Sequence, residues 1–141
     1  MFISGGTFTL NGGTISGNSA NGGGGIAMDG GTFNFSSGSI HGNTARNGGG
    51  GVSMWGSATF NMSGGTISGN SAPTDRGGGV VMNNGTFTMS GGTIYGNETA
   101  DVANRNTAGI SGHAFFNGGG TARYGNNTTI PSPSNNTITG M

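Results

Sequence analysis

The chain has few side chains of the kinds that carry out acid–base, nucleophilic or metal chemistry. Its 141 residues include four acidic residues, four basic residues, two histidines and no cysteine. Paired carboxylates would suit glycoside cleavage, and clustered ones would suit Ca²⁺, but the acidic residues share no repeated position: Asp29, Asp75, Glu98 and Asp101. His41 and His113 have no metal or triad partner at a characteristic spacing. The sequence therefore predicts no catalytic residue, metal site or cofactor, and we do not expect an enzyme.

Three glycine runs, at 22–25, 48–51 and 77–79, superficially resemble loops that bind phosphate. No GK[ST] motif or helical continuation follows them, so they are interpreted as turns. The net charge is zero and only 6% of the residues are charged, which excludes a basic surface for nucleic acid. Apolar stretches are a few residues long, far short of the roughly 20 needed to cross a bilayer, and predict no membrane insertion.

The residues that recur regularly belong to three phrases, which together form a repeat. A phrase of the type GTFTL places phenylalanine at intervals of 25, 27 and 27 residues, at Phe8, Phe33, Phe60 and Phe87. A second phrase, of the type TISGN, follows each of these. A third phrase, such as GIAM at 25–28, follows each glycine run. Markers that keep one register over four repeats indicate a repeat architecture.

Alternation of apolar and small polar residues within each phrase predicts strands with one buried face. Three short strands per 25–27-residue unit cannot bury their apolar sides alone, so the units must stack. We expect an all-β protein, a right-handed parallel β-helix of about four to five rungs with three short strands per rung. Residues 1–97 form the predicted repeat array, and residues 98–141 form a last irregular rung and a C-terminal cap or tail.

In this architecture equivalent side chains stack into columns. The predicted core columns are Phe8, Phe33, Phe60 and Phe87; Ile15, Ile40, Ile67 and Ile94; and Met28, Met54 and Met82. An asparagine follows glycine at one corner of each unit, where asparagine tolerates left-handed backbone and its amide can bond the next rung. This predicts an asparagine ladder of Asn18, Asn43, Asn70 and Asn97.

The first phrase also predicts a candidate binding face that points outward. Its members are small hydroxyl or amide residues: Thr7, Thr9, Thr32, Asn34, Thr59, Asn61, Thr86 and Thr88. Stacked on a parallel sheet, they would form two files, with neighbours about 4.8 Å apart along the axis and files roughly 7 Å apart. This geometry resembles the Thr-x-Thr arrays of ice-binding β-helices. Threonine is also favoured at exposed strand positions for reasons unrelated to binding.

The pairing of ISGNSA at 15–20 with GGGI at 23–26 resembles the FxxN and GGA(I/L/V) repeats of chlamydial polymorphic outer-membrane proteins. The phrases are also similar to GGTISGN and GGGV arrays in surface and secreted proteins of spirochaetes and gut Firmicutes. The resemblance covers roughly residues 2–97, and it implies export, a right-handed β-helix and a role in adhesion or surface display. Here isoleucine replaces the phenylalanine of FxxN, and no translocating barrel is present in the sequence.

The leading hypothesis is therefore a non-catalytic structural or adhesive module of a bacterial surface or secreted protein, located outside the cell. Its expected partners are host or glycan surfaces, or copies of itself, because residues 1–4 match the third phrase and leave a sheet edge to be covered by another chain or a preceding rung. Low charge and open sheet ends would favour end-to-end stacking into a fibre. The alternatives are an ice-binding protein with a Thr-x-Thr face and a polysaccharide-binding or polysaccharide-cleaving β-helix.

Overall fold

The computed structural model describes residues 1–141, which form fifteen strands and one short 3₁₀ helix, Val102–Asn104. Sheet I holds the long strands β2 (Thr7–Ser16), β5 (Thr32–His41), β8 (Thr59–Ser68) and β11 (Thr86–Ile94), then β14 (Thr121–Tyr124) and β15 (Ile138–Thr139). Sheet II holds β1 (Phe2–Ile3), β4 (Ile26–Met28), β7 (Val52–Met54), β10 (Val80–Met82) and β13 (Phe115–Asn117). Sheet III holds β3 (Ser19–Ala20), β6 (Thr44–Ala45), β9 (Ser71–Ala72) and β12 (Thr107–Ala108).

The chain visits the sheets in the order I, III and II before it returns to sheet I, so each circuit is one turn of a solenoid. Equivalent strands of successive turns pair in parallel, and only β15 pairs antiparallel. The predicted all-β, stacked parallel architecture is confirmed. About three turns are regular, somewhat fewer than the four to five predicted, because the next circuit lengthens to 35 residues between the paired residues Phe87 and Ala122.

The first two phrases of each repeat lie in one long strand of sheet I, which corrects the expectation that each phrase forms a separate short strand. In β2 the strand runs through Gly12 and Gly13, both with positive φ, of 134° and 82°. The pairing register shifts between Leu10 and Asn11 and again before Thr14, and then resumes. The Gly-Gly pair therefore makes an irregularity within the strand. Ser-Ala and Thr-Ala pairs form the third sheet instead.

The phenylalanine column fills the centre of the solenoid. Ring centroids are 5.5 Å apart between Phe8 and Phe33, 4.8 Å between Phe33 and Phe60, and 4.8 Å between Phe60 and Phe87. Phe115 continues the stack at 5.4 Å from Phe87. Fully burying such a side chain contributes about 1.5–3 kcal/mol, so repeated columns let a chain with 30% hydrophobic residues enclose a core.

The other predicted columns also lie inside. Fully buried members are Phe33, Phe60, Phe87, Ile40, Ile67, Ile94, Met28, Met54 and Met82. Phe8 and Ile15 belong to the first turn and are only partly buried, since no turn packs over them. The strand pairing keeps each column in register, as in Ile15↔Ile40 and Ile40↔Ile67.

The glycine runs lie where neighbouring turns approach each other most closely. A Cβ atom added to Gly50 would lie 2.5 Å from the Ser71 nitrogen, and one added to Gly78 would lie 2.5 Å from the Thr107 oxygen. Both distances are shorter than any side chain tolerates, and the colliding atoms are backbone. The runs therefore allow the backbones of neighbouring coils to approach closely, a role that was not predicted from the sequence.

The C-terminal tail closes one end of the solenoid. The strand β15 pairs antiparallel with β11 through Ile138↔Ile94, and isolated bridges join Phe115 to Ser134 and Arg123 to Thr129. Ile130 and Ile138 are buried against the core. The opposite end, formed by β1, β2 and β3, keeps free strand edges, and Phe2 there is 66% exposed.

Candidate functional site

The outer face of sheet I carries the first predicted file of threonines. Thr7 pairs with Thr32, Thr32 with Thr59, and Thr59 with Thr86, and the pairing continues to Thr121 on β14. All five are exposed or half-buried. Five hydroxyl-bearing side chains thus follow one line at the strand spacing of about 4.8 Å.

The second predicted file runs parallel to the first but is less regular. Its members pair in the order Thr9, Asn34, Asn61 and Thr88, followed by Arg123. The Asn61 side-chain amide donates to Asn34 Oδ1 at 3.0 Å. These two side chains therefore already use part of their hydrogen-bonding capacity on each other. The file therefore offers hydroxyl groups at two positions and one cationic group at its end.

A third polar file, not predicted from the sequence, lies on the same face. It contains Thr14, Ser39, Thr66 and Thr93, which pair in succession. The oxygen atoms of Thr14 and Ser39 lie 3.3 Å apart. This file lies on the same face because the second phrase continues the long strand of the first. The polar–apolar alternation within the TIS phrase could have predicted it.

The predicted asparagine ladder exists, with one member corrected. Asn18 donates from Nδ2 to Asn43 Oδ1 at 2.9 Å, Asn43 to Asn70 at 3.0 Å, and Asn70 to Asn106, not to Asn97, at 3.0 Å. Asn97 is exposed, whereas Asn43, Asn70 and Asn106 are fully buried. Residues between Asn97 and Asn106 loop outward, and the chain regains its register only at Asn106.

The ladder is a structural feature with every amide hydrogen bonded. Asn70 Nδ2 also donates to the Ile40 carbonyl at 2.9 Å, and its Oδ1 accepts from the backbone N–H of Asn43 at 3.0 Å. The left-handed backbone at these corners belongs to the preceding glycine, with φ of 67° at Gly17 and 63° at Gly42. This corrects the expectation that asparagine itself adopts that conformation. Asparagine is required for its amide.

The four acidic side chains are dispersed over the loops and corners, and three of them bind backbone N–H groups. Asp75, Glu98 and Asp101 each accept a hydrogen bond from a backbone N–H, at 2.8, 2.6 and 3.0 Å. Asp29 is exposed beside the corner that follows β4. No two of them are joined across the solenoid by a hydrogen bond or a strand pairing that would make a carboxylate pair.

The two histidines are also separate. His41 is exposed at the end of β5, in the position that Ser16 and Ser68 occupy in the adjacent turns. His113 Nδ1 accepts from the backbone N–H of Ala108 at 3.0 Å. No group of three or more His, Cys, Asp or Glu side chains is arranged to hold a metal ion.

Glu98 connects the loop after β11 to the tail. Its carboxylate accepts from the Thr137 backbone N–H at 2.6 Å, and Thr137 Oγ1 accepts from the Gly96 N–H at 2.9 Å. Burial raises the pKa of Glu98, but the Thr137 hydrogen bonds and the positive charge of Arg105 outweigh this effect, and the net pKa lies below its ordinary value. The contact therefore favours the ionised carboxylate.

Comparison of the chain with protein-family models, with curated proteins and with solved structures gave no match. None of its helical segments has the length and apolar character of a bilayer-crossing helix. The outer face of sheet I carries the three polar files, and apart from Arg123 at one end its chemistry is that of uncharged hydroxyl and amide groups on paired strands.

Proposed function

We propose that the chain is a non-catalytic structural and adhesive module of a bacterial surface or secreted protein, acting outside the cell through the outer face of sheet I. The observation that carries the proposal is the alignment of three polar files on four paired long strands. Right-handed winding, which parallel crossovers favour, is part of the proposal. The extracellular location rests on the resemblance of the repeats to bacterial surface arrays.

Such a face suits weak, repeated recognition of glycans or host proteins. Its groups are held by backbone pairing, so little conformational entropy is lost when a partner binds. The same hydroxyl group recurs at each turn, and a repetitive partner gains avidity from several identical contacts. Few charges interrupt the face, which favours neutral hydrogen-bonding partners.

The test compares binding of the native chain with that of a variant in which Thr32, Thr59 and Thr86 are all replaced by lysine. Binding would be measured on immobilised glycans and on epithelial cell surfaces. A matched control carries lysine at three exposed loop positions, Asn47, Ser57 and Asn83. We expect the first variant to lose binding and the control to keep it; equal binding by both would overturn the proposed role of this face.

Self-association is proposed through the end formed by β1, β2 and β3. Free strand edges can pair with another chain, and Phe2, Phe8, Leu10 and Ile15 leave apolar surface there. The tail covers the other end, so a second copy at the β1–β3 end fits better than a head-to-tail fibre. We expect sedimentation over a range of concentrations to show dimers of the native chain and monomers of Phe2→Lys. Monomers of the native chain at all concentrations would exclude self-association. Long fibres would show that the tail is displaced from the other end.

Ice binding is a second candidate because five threonines share one file. The asparagine pair in the neighbouring file weakens the match to a Thr-x-Thr array. Thermal hysteresis of the purified chain, and its loss in Thr86→Tyr, would support this function over adhesion. The remaining alternative, polysaccharide binding or cleavage, has weaker support, since the acidic side chains are dispersed.

A further inference from the structure

The tail that closes the solenoid also lines a cavity of about 450 Å³ that is open to solvent and distinct from the outer face of sheet I. Its wall consists of Tyr124 at the end of β14 and of seven tail residues, 131 and 133–138. The volume falls within the range of small-molecule sites, about 300–1,000 Å³. A ligand of one or two sugar rings would fit this space.

Tyr124 supplies an aromatic wall that the fold holds in place. It pairs with Met89 in sheet I, so its ring continues the core column that contains Met62 and Met89, and it packs against the core. The same ring lines the cavity. Burial raises the pKa of the Tyr124 phenol, so the hydroxyl stays neutral at physiological pH.

The facing wall carries hydrogen-bonding groups that are only partly used by the protein. Asn135 Oδ1 accepts from the N–H groups of Gly112 and His113, at 2.8 and 3.3 Å, which leaves its NH₂ group free to donate. Asn136 is exposed, and its backbone oxygen accepts from the Ser134 hydroxyl at 2.9 Å while its side chain points to no protein partner. Amide groups of this kind bind sugar hydroxyls.

The lining excludes other ligand classes. None of the eight residues is charged, so an ionic ligand would lose its hydration without gaining a counter-charge. One tyrosine alone does not make the aromatic cage that holds a quaternary ammonium group. The NH₂ group of Asn135 and the side-chain amide of Asn136 would be left without partners beneath a wholly apolar ligand.

An aromatic ring on one side and neutral amides and hydroxyls on the other match a neutral sugar, which has an apolar C–H face and a rim of hydroxyl groups. Pro131 and Pro133 stiffen this wall because their φ angles are fixed, which reduces the entropy lost on binding. We propose that the cavity between Tyr124 and residues 131–138 is a binding site for a neutral mono- or disaccharide. It is independent of the proposed adhesive face, which lies on the other side of the sheet I strands.

The test is NMR titration of the full chain with methyl β-glucoside, methyl β-galactoside, N-acetylglucosamine and cellobiose, up to about 10 mM, where millimolar affinities are detected. Glucuronate and glucosamine serve as the anionic and cationic comparisons. We expect at least one neutral sugar to shift signals of Tyr124 and residues 134–137. No shift with any neutral sugar, or equal shifts with glucuronate or glucosamine, would overturn the proposal.

Two variants localise the binding without disturbing the core. Asn136→Ala removes an exposed amide and should weaken the affinity about 2- to 10-fold, the effect of one hydrogen bond. Tyr124→Phe keeps the ring and should retain most of the affinity. Asn21→Ala, an exposed amide in the first turn, is the control. If Asn136→Ala and Asn21→Ala bind the sugar with equal affinity, the proposed location of the site is wrong. The lysine variants of sheet I test adhesion separately, so either proposal can fail without the other.

Discussion

The Asn70 amide donates to Asn106 Oδ1 at 3.0 Å, although 36 residues separate the two in the sequence. In the preceding turns the same contact joins residues 25 and 27 apart. The chain thus loops out after Asn97 and returns to place an asparagine at the required height. The asparagine contact at this corner is therefore kept from turn to turn, although the number of residues per turn changes.

Removal of a ladder amide should destabilise the protein strongly. Asn70→Ala leaves the Asn43 N–H groups and the Ile40 carbonyl without their buried partner, and we expect the free energy of unfolding to fall by about 2–4 kcal/mol. Asn97→Ala, at the position wrongly predicted to belong to the ladder, should change it by less than about 0.5 kcal/mol. Urea denaturation of both variants measures the difference, and equal losses would contradict the assignment.

The phenylalanine column should contribute unevenly along its length. Phe60 stacks between two rings at 4.8 Å and is fully buried, so Phe60→Ala should reduce the free energy of unfolding by about 3–5 kcal/mol. Phe8 has one ring neighbour and is only partly buried, and Phe8→Ala should have a clearly smaller effect. Thermal or urea unfolding would test this, and a larger loss at Phe8 would show that the first turn is covered in solution.

Glycine should be required at Gly50, within a run, and dispensable at Gly5, where the surroundings are open. Gly50→Ala forces a Cβ atom to within 2.5 Å of backbone in the next turn, so we expect a loss of at least about 1–3 kcal/mol or failure to fold. Gly5→Ala is the matched control, because no atom lies within 4 Å of its added Cβ. Circular dichroism and soluble yield distinguish the two. Normal folding of Gly50→Ala would refute the close approach of the turns.

Attachment of the tail should weaken in acid. The pKa of Glu98 is lowered in the folded protein, so its contribution is fully present above the unfolded value near 4.5 and is lost as the pH falls through the lower folded value. The protection factors of the Thr137 and Ile138 amides, that is, their exchange rates corrected for the intrinsic effect of pH, should therefore fall below about pH 4.5 in the native chain. In Glu98→Gln, which has no carboxylate to titrate, this loss of protection in acid should be absent. If the variant loses protection in acid as the native chain does, another residue is responsible for the effect.

The columns and the outer face were predictable because each phrase alternates inward and outward residues, and a fixed spacing then dictates which side chains stack. Asn106 was predictable in retrospect, because Asn-Thr-Ala at 43–45 recurs at 106–108. The merging of two phrases into one strand was not, since Gly-Gly is equally typical of a turn. A C-terminal cap was expected from the loss of the repeat after residue 97, but the way the tail attaches could not be inferred, because the burial of Ile138 depends on antiparallel pairing with a distant strand and not on a local pattern.

Strand pairing joins each turn only to the turns immediately before and after it. If residues 59–85 were deleted, β5 would meet β11, and Thr32, Phe33 and Ile40 would face Thr86, Phe87 and Ile94, the same residue types that they face now. A recombination event that removes or duplicates one unit of the gene therefore yields a chain whose new junction is already compatible. The length of this protein can change by whole units during evolution without any new interface having to arise.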